Sequence, residues 1–140
     1  MLPLGLVIED WETGDFTQFE WEFSGNSDWT IIDGANVYEG DYSAKSGSIN
    51  DGQSTSLTID VNAPTESVIS FYSKVSSESG YDKLKFYIDG TELGDWSGEV
   101  AWGYNEFTCP EGDHTLKWTY SKDGSVSSGS DCAWVDYIIL

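Results

Sequence analysis

The chain alternates apolar and polar residues with a period of two, and that pattern limits what it can fold into. Leu57, Ile59 and Val61 alternate with Thr58 and Asp60. Leu84, Phe86 and Ile88 alternate with Lys83, Lys85, Tyr87 and Asp89, and Leu116, Trp118 and Tyr120 with Thr115, Lys117 and Thr119. Successive side chains of a strand point to opposite faces, so each run reads as a strand with one buried face. Further strands are expected over Leu6–Glu12, Trp29–Ile32, Ser67–Ser76, Trp102–Cys109 and Ala133–Leu140. Turn pairs such as Asp33-Gly34, Asp51-Gly52, Asp89-Gly90 and Glu111-Gly112 punctuate the runs, and no stretch carries an apolar stripe at helical spacing. Eight or so strands at this spacing predict an all-β fold, an antiparallel β-sandwich of the jelly-roll kind. The 140 residues fit a single module spanning 1–140, with residues 1–6 read as a linker or an artificially appended stretch. The short connection after Lys74 makes Ser67–Ser76 and Lys83–Ile88 expected hairpin partners. Ser121–Asp131, locally low in complexity, reads as a long loop between strands.

Charge narrows the partners. Twenty-five Asp and Glu against six Lys give −19 at neutral pH. Nucleic acids are gripped by clustered Lys and Arg, so unaided nucleic-acid binding is excluded, and docking onto anionic membranes is disfavoured. No run approaches the roughly 18 apolar residues of a membrane-spanning helix. Aromatic residues make up 15% of the chain, seven of them Trp, which argues against disorder. Met1–Val7 lacks the basic start and cleavage site of a secretion signal, and the apolar finish at Leu140 suggests one module of a longer, secreted or surface-bound protein. Cys109 and Cys132 are either two buried thiols or one disulfide.

Four of the six lysines fall on the polar side of alternating runs. If their strands share one sheet, Lys74, Lys85 and Lys117, with Tyr72 and Tyr87, form one outer face together with Lys83. The plainer reading is a solvated face on which lysine discourages edge pairing; the sharper one is a polar-aromatic platform for a flexible sugar polymer, with rings under sugar faces. Trp11, Trp29, Trp118 and Trp134 are expected in the core, and Trp21 more buried than not. Trp96 and Trp102 bracket Asp95–Ala101, among Gly, Ser and acidic residues. They are either indoles exposed for stacking on a pyranose or a plug over the sandwich end.

Acidic residues are too dense for proximity alone to mean anything, but three clusters stand out: Glu9, Asp10 and Glu12; Glu39 and Asp41 around Gly40; and Asp136, the one charge in an apolar terminal run. First and last strands of a jelly roll often lie side by side, which would bring Asp136 near Glu12. A buried lone carboxylate is unfavourable unless paired. Oxygen-only donors beside a Gly turn suit a hard cation such as Ca2+; the alternative is ordinary surface acids. His114 opens a strand after a turn, and no nucleophile elbow, Cys–His pair or phosphate loop is present. Catalysis, as a lyase or a carboxylate-pair glycosidase, has little support.

The stretches VIEDWETGDF, YEGDYSAKSG, ISFYSKVSSESGYDKLKFYIDG and HTLKWTYSKDGSVSSGSDCAWVDYI resemble the cleaved-adhesin-like or MAM-like jelly-roll modules of secreted bacterial proteins, which are similar to calcium-containing carbohydrate-binding modules. Trp11-Glu12 resembles the family's first-strand Phe-Glu, Gly40–Ser43 its G-x-Y-S turn, and Trp134 with Asp136 its W-x-D. Thr17–Asn26 departs from the pattern. The resemblance implies a structural Ca2+ held by Asp10, Glu12, Glu39, Asp41 and Asp136. It also implies a non-catalytic carbohydrate-binding module, monomeric within a multidomain chain, whose partner is a plant cell-wall polysaccharide or other β-glycan. The competing reading is an adhesin or spacer domain with no sugar site.

Overall fold

The computed structural model describes residues 1–124 and 129–140, so four residues of the expected Ser121–Asp131 loop lie outside the described residues. No helix occurs among those described. The described residues form twelve strands: β1 (Leu2–Pro3), β2 (Ile8–Glu9), β3 (Glu22–Gly25), β4 (Thr30–Asp33), β5 (Tyr42–Lys45), β6 (Ser54–Ala63), β7 (Ser67–Ser76), β8 (Lys83–Ile88), β9 (Thr91–Ser97), β10 (Glu99–Cys109), β11 (Gly112–Ser121) and β12 (Cys132–Ile139). They build two six-stranded sheets. Sheet A runs β1-β6-β11-β8-β9, with β3 also on β6; sheet B runs β10-β7-β12-β5-β4, with β2 also on β12. All pairings are antiparallel except the two-residue contact of β1 with β6. The expected jelly-roll sandwich forms, and the start of the chain pairs with its last strand through Glu9 opposite Ile138.

The three clearest alternating runs, β6, β8 and β11, lie adjacent in sheet A, and their apolar residues face sheet B. Phe71 of sheet B packs on Phe86 and Trp118 of sheet A at ring-centroid distances of 5.1 and 5.4 Å. A second aromatic group closes one end of the core: Trp11 meets Phe16 and Trp21 at 5.1 Å each, and Trp21 reaches Trp118 at 5.8 Å. The indole of Trp11 also donates to the carbonyl of Val135 (3.0 Å).

The structure corrects two expectations and decides one open alternative. β7 and β8 are not hairpin partners, because residues 77–82 carry the chain from sheet B to sheet A. The Ser77 hydroxyl donates to the Asp82 carbonyl (2.7 Å), and the Asp82 N–H to the Glu78 carbonyl (3.1 Å), fixing a compact turn that reverses the chain onto the other layer. Residues 2–4 are no linker: Leu2 and Pro3 pair with β6, and Leu4 is buried. A disulfide is excluded by topology. Cys109 pairs opposite Ser67 and Cys132 opposite Ser76, at the two ends of β7, about 30 Å apart at the rise of a strand. Both are free, buried thiols, and burial pushes that of Cys132 up to about 11.

Two predictions follow from packing and charge. Phe71→Ala, at a fully buried ring between the sheets, should lower the unfolding free energy by about 3–5 kcal/mol in urea titration. His114 Nδ1 lies 2.5 Å from Asp89 Oδ2 at the end of β8. The bond to His114 and the Thr115 N–H hold the Asp89 carboxyl below its ordinary 3.8, and Asp89 holds His114 above its ordinary 6.5. The raised histidine contributes stability fully below 6.5, lost as pH rises through its folded value; the depressed carboxylate contributes above 3.8, lost as pH falls through its own. The pair therefore stabilises most between those two values. With Asp89 half exposed, the gain is about 1 kcal/mol or less. The difference in Tm between wild type and His114→Gln should be largest near pH 5 to 6 and shrink towards pH 8.

Candidate functional site

Cross-strand partners share a face, so the register fixes what each surface carries. On the outer side of sheet A, Lys83, Lys85 and Tyr87 of β8 lie opposite Ser121, Thr119 and Lys117 of β11. On the outer side of sheet B, Tyr72 of β7 lies between Tyr104 of β10 and Asp136 of β12, and Lys74 lies opposite Trp134. The expected platform is therefore divided between opposite sides of the molecule: Tyr72 and Lys74 on one, Tyr87, Lys85 and Lys117 on the other. The sheet A group is a solvated face with its charges matched. Lys85 pairs with Glu92 at 3.1 Å, Lys83 with Asp95 at 4.0 Å, and Lys117 sits 4.8 Å above the Tyr87 ring. Trp96 and Trp102 part company as well. Trp96 turns inward against Phe71 (6.0 Å) and Phe107 (6.5 Å). Trp102 sits where β10 bulges between Val100 and Gly103, within 6.0 Å of Tyr38.

Sheet B carries the concentrated aromatic surface. Tyr38 lies flat on Tyr72, centroids 3.6 Å apart and planes within 13°. Tyr104 meets Tyr72 edge-on at 5.4 Å, and its hydroxyl donates to Glu106 (2.8 Å). Tyr38 and Tyr104 are 42% and 54% exposed, so the group opens to solvent. The Trp102 indole nitrogen is buried without a hydrogen-bond partner among the described residues. Lys74 borders the rings, its ammonium 2.7 Å from the Asn36 side-chain oxygen and 5.3 Å from the Trp134 ring. Tyr38, Tyr104 and Asn36 escape a reading by clusters. The alternation Trp102, Tyr104, Glu106 was the available signal for Tyr104; Tyr38 and Asn36 lie in a loop whose path alternation does not describe.

The acidic clusters explain how that loop is held. Asp136 is fully buried beneath residues 34–41. Its Oδ2 accepts the N–H groups of Tyr38 (3.1 Å) and Glu39 (3.0 Å), and its Oδ1 that of Tyr137 (2.7 Å). Burial pushes the Asp136 carboxyl up to about 7, against the opposing pull of those N–H groups. Glu12 receives the N–H groups of Asp41 (2.8 Å) and Tyr42 (3.0 Å), one on each oxygen. Asp10 in turn accepts the Glu12 N–H (3.2 Å). Glu39, Asp10, Glu12 and Asp41 lie close enough for the last three to raise the Glu39 carboxyl, after the larger effect of burial. Glu9, also fully buried, accepts from the Trp11 N–H and the Trp21 indole. Two of the five expected calcium ligands, Glu12 and Asp136, thus anchor one turn by accepting its backbone N–H groups. Among the described residues, the only three carboxylates whose ligand atoms approach within 4.8 Å of one another are elsewhere, at Glu78, Asp82 and Asp123.

The module belongs by fold with the jelly rolls of carbohydrate-binding modules and cleaved adhesin domains. No protein-family model matches the chain, and neither does any curated protein sequence. Among solved structures, it is similar to TmCBM61 in complex with β-1,4-galactotriose (TM-score 0.67, 17% identity, covering 93% of this chain and 92% of that one). It is similar to the K3 cleaved adhesin domain of Lys-gingipain from Porphyromonas gingivalis (TM-score 0.72, 10% identity, 96% and 95% covered). The CBM22-1 xylan-binding domain of Paenibacillus barcinonensis Xyn10C aligns at a TM-score of 0.66 with 16% identity, 99% and 95% covered.

Gly40 tests the loop's anchorage. It holds φ +67°, and a Cβ there would run into the Glu12 carboxylate. Gly34 holds φ +90° with nothing within 4 Å of its added Cβ. Gly34→Ala should therefore lose only backbone strain, about 1–2 kcal/mol. Gly40→Ala should lose about 1 kcal/mol more through the displaced Glu12 hydrogen bonds. Urea unfolding of the two variants checks the difference.

Proposed function

We propose that this module binds a polysaccharide, without transforming it, through the aromatic surface of sheet B formed by Tyr38, Tyr72, Trp102 and Tyr104. The observation that carries this reading is a contiguous group of four rings over one sheet face, linked at 3.6, 5.4 and 6.0 Å, with Tyr38 and Tyr104 open to solvent. Such rings offer flat apolar surface to the C–H faces of sugars, while Lys74, Asn36 and Glu106 at the border can exchange hydrogen bonds with hydroxyls. The likeness to a galactotriose complex and to a xylan-binding domain supports a plant cell-wall or other β-glycan as ligand. Binding without catalysis is supported by the state of the nearby acids: Asp136 is buried on backbone N–H groups, and Glu106 is held by the Tyr104 hydroxyl. A secreted or cell-surface parent protein fits the same likenesses. One observation favours the rival adhesin or spacer role: Tyr38 already covers a face of Tyr72.

Affinity electrophoresis separates the two. Galactan, xylan, glucans, mannans and acidic polysaccharides are cast into native gels. Wild type should be retarded by at least one neutral β-glycan, Trp102→Ala and Tyr104→Ala should lose that retardation, and Tyr87→Ala on sheet A should keep it. A wild type that runs freely through every gel would leave the adhesin or spacer role in possession.

We also propose a structural Ca2+ beside Glu12 and Asp136. An all-oxygen donor set around a glycine turn supports it, as calcium accepts irregular cages completed by backbone carbonyls and water. Glu12 and Asp136 would contribute the lone pairs their N–H partners leave free, with Asp10, Glu39 and Asp41 at the rim. Bound calcium would keep Asp136 ionised and so firm the loop that carries Tyr38. In calorimetric titration with CaCl2, Glu12→Gln should abolish one binding event. A Glu12→Gln protein that takes up as much calcium as wild type removes the ion from this place.

A further inference from the structure

We propose that Glu78, Asp82 and Asp123 form a second calcium site, at the corner where the chain leaves β7 for β8 and where β11 ends. One ligand oxygen from each lies within 4.8 Å of the other two. Glu78 and Asp82 come from a single turn, set four residues apart by the Asp82 N–H donating to the Glu78 carbonyl (3.1 Å). Asp123 arrives from the other side of the corner, and its N–H donates to Asp82 Oδ1 (3.1 Å).

Asp82 distinguishes this group from a chance meeting of surface acids. Its side chain is completely buried, and its second oxygen, Oδ2, has no hydrogen-bond partner among the described residues. A carboxylate oxygen shut away from water without a donor is strongly disfavoured, and two further carboxylates within reach make matters worse. A divalent cation would supply the partner that Oδ2 lacks among the described residues.

The nearby ammonium does not fill that need. Lys122 is buried and contacts Asp131 closely, with Asp51 at 3.8 Å. Glu78, Asp82 and Asp123 lie in the same electrostatic neighbourhood, so one lysine faces five carboxylates. The donors are all oxygen, with neither Cys nor His in the group, which favours a hard cation over zinc or copper. Three carboxylates from two separate segments give no octahedral preorganisation, and calcium tolerates such irregularity better than magnesium. The site would tie the sheet-to-sheet crossing to the end of β11, on residues distinct from the loop anchorage at Glu12 and Asp136.

Chelator-stripped protein titrated with CaCl2 in a calorimeter tests this. Glu78→Gln, and separately Asp82→Asn, should remove one calcium-binding event or weaken it at least tenfold, while Glu12→Gln leaves that event in place. Asparagine at 82 keeps an acceptor for the Asp123 N–H, and Glu78 is partly exposed, so at least one variant should fold. In EDTA, Glu78→Gln should melt no lower than wild type, because it removes a like charge; in calcium it should gain less. Unaltered calcium binding in both variants, or no binding by wild type, would overturn the site. A lower Tm for Glu78→Gln in EDTA with its calcium response intact would reassign the group to the Lys122 ion-pair network. Retardation by glycans is indifferent to all of these outcomes, so the two readings stand or fall separately.

Discussion

A buried carboxylate on the outer side of sheet B holds the rest of the candidate surface in place. Asp136 is out of contact with water, and its oxygens are directed at the N–H groups of Tyr38 and Glu39. Those two bonds seat residues 34–41 over the sheet, and the seat in turn lays Tyr38 on Tyr72. The Ser43 hydroxyl bonds to the Asn36 carbonyl at 2.6 Å, and Lys74 bonds to the Asn36 side chain, so the other half of the loop is pinned to β5 and β7. Glu12 secures its far end at Asp41 and Tyr42. Removing one partner of such a buried charge leaves the other uncompensated, which typically destabilises by several kcal/mol. The aromatic surface is thus a property of the loop and the sheet together; neither alone would place four rings side by side.

The crossing at residues 77–82 decides what each sheet displays. Had β7 and β8 paired as a hairpin, tyrosines and lysines would have mixed on one face. With the crossing, sheet A shows Ser, Thr and Lys matched against the acids of β9, and sheet B shows rings. The turn that makes the crossing possible also places Glu78 and Asp82 on one side of the corner, next to Asp123. The local geometry that divides the faces therefore creates the densest carboxylate contact among the described residues. A cation there and the division of the faces would share one cause.

Much of the architecture was legible in the sequence because alternation reports burial directly. β6, β7, β8 and β11 sit where the sequence pattern predicted strands, and the meeting of β2, at the start of the chain, with the last strand followed from the fold. What alternation does not report is which sheet a strand joins. A six-residue connection with Ser, Glu and Gly looks like a hairpin turn and is a crossing: Ser77 closes it locally on the Asp82 carbonyl, but also accepts the N–H of Gly98, between β9 and β10, a contact that spacing along the chain does not announce. β9 was missed for a related reason: TELGDWS is an edge strand exposed over most of its length, so it has no buried face to alternate. Trp96 illustrates the limit of reading neighbours in sequence. Its polar company suggested exposure, yet Gly94 leaves room for its ring beside Phe107, and the side chain turns in. The carboxylates were legible as clusters, since Glu12, Gly40 and Asp136 do converge, but their engagement by backbone N–H groups has no sequence signature.

The charge of the chain bears on which sugar the rings could take. At −19, the molecule repels an anionic polymer at distances up to the Debye length, about 8 Å at physiological ionic strength. A uronate-rich ligand would need basic residues on the binding face to offset that field. The lysines on that side are Lys74 and Lys45, set on either side of Trp134, and Lys74 already serves Asn36 and the Trp134 ring. The lysines of sheet A are turned to the opposite side, where Glu92 and Asp95 neutralise two of them. Stacking of sugar on tyrosine and tryptophan needs no charge, and it is scarcely weakened by the surrounding acids. Under the proposed sugar-binding role, the electrostatics and the ring geometry would both suit a neutral glycan, one through the sum of the sequence and the other through the register of β7 and β10 and the loop laid over them.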